Sequence, residues 1–141
     1  MERGRKMTEN SYKTRCGCIH YFVNIIDKQK ITLVFLPGLT ADHRLFEKQI
    51  EYFEKKQNVF VWDAPSHALS RPFTNNYSLS DMAQWLCEIL AKEEIYNPII
   101  IGQSMGGYLA QMYMELISHI APRSSASILT RTRSSSERAT S

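Results

Sequence analysis

A chain of 141 residues with 43% apolar and 11% aromatic side chains is long enough for one domain with a sizeable core, and too apolar to be disordered throughout. Its net charge of +3 comes from the ends: residues 1–15 hold five basic and two acidic side chains, residues 122–141 hold four and one, and the body between them is acidic. A basic tail at each end of an acidic body, with no aromatic residues among those arginines to stack bases, argues against nucleic-acid binding.

Cys16, Cys18 and Cys87 form neither a C-x-x-C redox pair nor a zinc knuckle, so reduced thiols in a cytoplasmic protein are expected, with no metal. No apolar run of about 7–15 residues follows the basic N-terminus, and no segment reaches the roughly 18 apolar residues of a membrane span. Neither a signal peptide nor a membrane partner is therefore expected. Met1 and Met7 both stand as candidate starts.

After a basic extension over residues 1–15, near-alternating apolar residues from Cys18 to Ile26 read as a strand. Asp27 to Lys30 is the turn before a second strand, Ile31 to Leu36. From Thr40, taken as an N-cap, Leu45, Phe46, Ile50 and Phe53 recur on one helical face, while Glu47, Lys48, Glu51, Glu54 and Lys55 lie opposite. Val59 to Trp62 is the next buried strand. Ser78 with Asp81 three residues on has the form of a capping box, and it opens a helix with an apolar stripe of Leu79, Met82, Leu86, Ile89 and Leu90. Another apolar run, Asn97 to Ile101, leads into Tyr108, Leu109, Met112, Tyr113 and Leu116 at helical spacing. Strands alternating with helices at this pitch define an α/β fold with a mostly parallel sheet covered by helices on both faces. The pattern stops near Ile117, and Ser, Thr and Arg make up 14 of the last 20 residues. Residues 16–117 are thus expected to form the domain, and residues 118–141 a disordered tail.

Between the last strand and the last helix lies Gly102-Gln103-Ser104-Met105-Gly106-Gly107. A serine at the tip of a tight strand-to-helix turn holds its Oγ clear of the sheet, and only very small flanking residues permit such a turn. Gly102, Gly106 and Gly107 supply them.

This stretch resembles the nucleophile elbow of the α/β-hydrolase superfamily, and two further segments match that family in order. Ile31 to Thr40, containing Pro37-Gly38, is similar to its third strand and oxyanion loop. Val59 to Ser70 is similar to its fourth strand and the following D-x-P-G-H-G-x-S turn, with Ser66 and Ala68 in place of the usual glycines. The resemblance covers roughly Tyr12 to Leu116, the first half of such a fold, truncated after the elbow helix. It implies a serine hydrolase of carboxylic esters or related small acyl substrates, without a cofactor. Ser104 would be its nucleophile, and the backbone N–H groups of Leu39 and Met105 its oxyanion donors. Serine at the elbow speaks against the dehalogenase and epoxide-hydrolase branches.

The resemblance also places the acid and the histidine of the triad after the nucleophile. Only His119 follows, and at 1.5 Å per helical residue it lies about 20 Å from Ser104. In the family the histidine matching His67 and the acid matching Asp63 shape the turn that holds them. His43, close after the oxyanion loop, reads as an exposed helix-start residue, with pocket lining as its alternative, and His20 as a surface residue. Glu137 falls in the tail. The expected molecule is therefore a truncated, inactive hydrolase fragment, with two alternatives: a non-catalytic pseudo-hydrolase or binding module, and a subunit completed by a partner chain. An uncovered Ile99 to Ile101 edge would favour self-association.

Overall fold

The computed structural model describes residues 7–120 and 127–131. Six strands, β1 (Thr8–Lys13), β2 (Cys18–Asn24), β3 (Thr32–Leu36), β4 (Asn58–Trp62), β5 (Pro98–Gln103) and β6 (Ser127–Arg131), form one sheet in the order β1-β2-β4-β3-β5-β6. β1 and β2 pair antiparallel, as do β2 and β4, whereas β4, β3, β5 and β6 run parallel. The helices are α1 (Glu47–Phe53), α2 (Leu79–Lys92) and α3 (Met105–Ile120).

β3 and β4 are buried at every position, as expected of central strands with both faces covered. Because side chains alternate along a strand, these two strands feed two cores. Val34, Leu36, Phe60 and Trp62 join Ile100 beneath α2 and α3, while Leu33, Phe35, Val59 and Val61 pack with Ile50 of α1 on the opposite face. The sheet is thus layered between helices on both sides. Buried Asn58 completes the β2–β3 connection: its Oδ1 accepts from Ile26 and Asp27 N–H, and its Nδ2 donates to the Asp27 and Lys30 carbonyls, so its amide group is fully engaged.

Three boundaries differ from the sequence reading. β1 lies within the expected basic extension and continues the sheet by pairing with β2. At the other end α3 runs to Ile120, past the expected boundary at 117, and Ser127–Arg131 pairs in parallel with Ile99–Gln103. The β5 edge is therefore covered rather than open, and the five-residue run Ser127-Ile128-Leu129-Thr130-Arg131 was too short to stand out from its Ser/Arg-rich surroundings. Residues 1–6, 121–126 and 132–141, including Glu137, lie outside the described residues. The third difference concerns the first helix, which begins later than Thr40. Asp42 caps a 3₁₀ turn, His43–Phe46, that leads into α1, whereas Thr40 has φ 66° and cannot act as an extended N-cap. The Ser78–Asp81 capping box at the start of α2 is present in both directions.

Candidate active site

Ser104 stands between β5 and α3 with φ 54°, a left-handed conformation that disfavours any side chain. Its carbonyl accepts from the N–H of Gly107 at 2.8 Å, closing the first turn of α3. The neighbouring glycines are required by contact. A Cβ on Gly102 would lie 2.3 Å from the Gly106 carbonyl oxygen, and a Cβ on Gly106 would lie 2.1 Å from that of Leu36, so α3 rests directly on the β3 backbone. Gly38 approaches from the loop after β3: its Cβ would lie 3.3 Å from the Ser104 Cβ and 2.7 Å from the Gln103 carbonyl oxygen. The structure thus brings Ser104, Gly38 and the glycines of the turn together at the C-terminal ends of β3 and β5. Ser104 is exposed there, and so is Leu39. Met105, as the first residue of α3, has an N–H with no acceptor inside the helix.

The loop after β4 is built around Asp63, whose side chain is fully buried. Its Oδ1 accepts from both the backbone N–H and Nδ1–H of His43 at 2.8 Å, and its Oδ2 accepts from Leu69 N–H at 3.2 Å. Ser70 adds a second tie, donating from Oγ to the Asp63 carbonyl and accepting from His20 N–H. His67 sits between two loops: Nδ1–H donates to the Pro65 carbonyl, and Nε2 accepts from Thr40 N–H at 3.3 Å. This pattern assigns the neutral Nδ1–H tautomer. Asp63 and His67 therefore hold the loops after β3 and β4 in mutual register, while Ser70 ties the loop after β4 to β2. His43 is half-buried rather than an exposed helix start, because its ring also packs on Phe22 with centroids 4.5 Å apart.

Ser66 and Ala68 retain the backbone that glycine would favour, at φ 72° and 43°. Ser66 is compensated by its hydroxyl contact with Tyr77 at 2.7 Å, whereas Ala68 has no such bond. Replacing Ala68 by glycine is expected to relieve about 1–2 kcal/mol of left-handed strain, less roughly 0.5–1 kcal/mol of added chain entropy. A net gain of about 0.5 kcal/mol should raise Tm by about 1–2 °C. A lower Tm for Ala68→Gly would contradict the strain described here.

Among the described residues no hydrogen bond joins the Ser104 hydroxyl to a histidine, and His119 occupies the far end of α3. Ligand-type atoms of Asp42, His43 and Asp63 come within 4.8 Å of one another. Those atoms already serve the fold: His43 is bound to Asp63, and Arg44 grips Asp42 in a forked pair that holds its carboxyl down to about 2. Two cavities flank this region. The larger, about 480 Å³, lies between Phe22, His43, Ile50 and Val61 on the α1 face, away from Ser104. The smaller, about 320 Å³, is lined by Thr40, Asp42, Arg44, His67 and Arg71, directly beyond the Gly38 loop. The sequence reading passed over this second cavity and Arg71. It could not have found either, because two loops 27 residues apart form the cavity, joined by the Thr40–His67 bond.

This mixed sheet layered between helices has a counterpart among known proteins. Residues 31–123 match the model of the alpha/beta hydrolase fold, and the chain belongs to that family. It is 27% identical over 92 residues to a Mycoplasma genitalium protein named as an esterase/lipase, covering 64% of this chain and 34% of that protein. It is also 29% identical over 98 residues to a Mycobacterium phage D29 protein named as a non-heme haloperoxidase, covering 69% of this chain and 34% of the relative. Among solved structures, an alpha/beta hydrolase from Novosphingobium aromaticivorans superposes with a TM-score of 0.73 at 22% identity, over 88% of this chain and 43% of that one. The naproxen esterase of Bacillus subtilis gives 0.68 at 20% identity, over 79% and 39%. The chain thus spans about a third of the length of the curated relatives it matches. No helix among the described residues is long and apolar enough to cross a membrane.

Proposed function

We propose that this chain is the nucleophile-bearing part of a serine hydrolase for carboxylic esters or related small acyl substrates, and that it is inactive by itself. Ser104 is the nucleophile, and the N–H groups of Leu39 and Met105 receive the negative charge that develops on the carbonyl oxygen. The observation that carries this reading is the left-handed φ of 54° at Ser104, kept although only glycine adopts it without strain and fitted against Gly38, Gly102 and Gly106. Strain of this kind persists where the surrounding structure enforces it, and it concentrates at functional sites. The relatives named as esterases support an ester substrate.

Removing the serine or the histidine of a hydrolase triad costs about 10⁶ in kcat, and since no base reaches Ser104 among the described residues, the chain should hydrolyse nitrophenyl acetate at background rate. Added imidazole can stand in for the base. It takes the hydroxyl proton as Oγ attacks the carbonyl carbon and nitrophenolate leaves. The expected result is one acetyl group on Ser104, dependent on imidazole, located by peptide mass spectrometry and absent from Ser104→Ala. Turnover lost in Ser104→Ala without imidazole would show that a base lies within this chain. Acetylation that spares Ser104 at every imidazole concentration would remove the nucleophile assignment.

A further inference from the structure

We propose that the cavity beyond the Gly38 loop is a subsite for a carboxylate carried by the acyl substrate, with Arg71 as its anchor. This rests on the reading of Ser104 as nucleophile, and it narrows the substrate class to acyl compounds with a second, anionic end. Of the arginines whose side chains are described, Arg15 pairs with Asp81 and Arg44 with Asp42, whereas Arg71 has no carboxylate partner among the described residues. Arg71, though exposed, is held in place: its Nε donates to the Ser66 carbonyl at 2.9 Å, and the residue lines the cavity together with Thr40, Ala41 and His67. The fixed Nε leaves the two terminal nitrogens to meet a carboxylate.

The other charges at the cavity favour this assignment. Asp42 is the acid that would repel an anion, but Arg44 Nε reaches both of its oxygens at 3.1 Å and Arg44 Nη2 reaches one at 2.6 Å, so the pair is neutral. His67 is neutral in its Nδ1–H tautomer, because Nε2 accepts from Thr40. The uncompensated charge is that of Arg71. The cavity is also close to the reacting group. Thr40 is two residues beyond Gly38, at most about 7–8 Å along the chain, and Gly38 lies so near Ser104 that a Cβ added to it would come within 3.3 Å of the Ser104 Cβ. A short aliphatic spacer between ester and carboxylate bridges that separation.

The test compares monomethyl glutarate, which has one ester and one carboxylate, with dimethyl glutarate, which has no charge, at matched ionic strength. Binding is followed by NMR at the Thr40 and Ala41 amides and the Arg71 Nε–H. The monoester should saturate these shifts at roughly tenfold lower concentration than the diester, as expected for a hydrogen bond to a charged group. Arg71→Gln should abolish the difference, and Arg71→Lys should restore part of it. Equal binding of the two esters, or a preference that survives Arg71→Gln, overturns the proposal. Ser104 acetylation is read separately. Saturable monoester shifts without acetylation leave the subsite standing and remove the nucleophile, while acetylation without a charge preference does the reverse.

Discussion

Gly106→Ala is expected to destabilise the protein by about 3 kcal/mol or more, beyond the usual range for overpacking, because the added methyl meets backbone rather than a side chain that can rotate away. Its Cβ would lie 2.1 Å from the Leu36 carbonyl oxygen and 2.9 Å from the Leu36 carbonyl carbon, so either α3 lifts from the sheet or β3 bends. Leu36 pairs with Gly102 in the β3–β5 ladder, and a bend there disturbs the strand that carries Ser104. For a domain with a total stability of about 5–15 kcal/mol this is a large fraction. In urea, at about 1–3 kcal/mol per molar for small proteins, the midpoint should fall by at least about 1 M. Gln111→Ala, an exposed change on the same helix, is the control and should shift the midpoint little. A Gly106→Ala midpoint matching that control would mean that α3 does not rest on the β3 backbone.

The same contact shows what the sequence discloses and what it hides. Gly102, Gly106 and Gly107 are legible because the turn chemistry is local: a serine that must sit left-handed after a β-branched run needs small neighbours within a few residues. The apolar runs of β3 and β4 and the capping box of α2 are local in the same sense. β1 and β6 are not, since a strand at the margin of a sheet is fixed by the partner it pairs with, and Thr8–Lys13 and Ser127–Arg131 have little apolar signal of their own. Asp63 illustrates the middle case. Its place after a strand identified it as a turn-shaping carboxylate. Its bonds to His43, 20 residues earlier, appear only once the loop after β3 folds back over β4. Ser66 and Ala68 were the visible departures from the family's turn, and the structure shows that the backbone there keeps its shape under strain.

Asp63→Ala should therefore be among the most damaging changes outside the serine turn. The carboxylate is fully buried and receives three donors, the His43 N–H, the His43 Nδ1–H and the Leu69 N–H, which belong to two different loops. Removing it leaves three donors without their acceptor around a fully buried position, and each donor left unsatisfied typically costs about 1–3 kcal/mol, so a loss of about 3 kcal/mol or more is expected. Asp63→Asn separates charge and shape from acceptor number. Its amide oxygen can still accept from His43, but its NH₂ then faces the Leu69 N–H, donor against donor, so a smaller loss of about 1–3 kcal/mol is expected. Urea unfolding orders the variants, and hydrogen exchange locates the effect. Leu69 N–H should lose protection in both variants, while the His43 N–H should lose it in Asp63→Ala and keep most of it in Asp63→Asn. If Asp63→Ala unfolds within about 1 kcal/mol of the parent chain, the two loops are held by the Thr40–His67 bond instead, and the carboxylate is dispensable to the frame around Ser104.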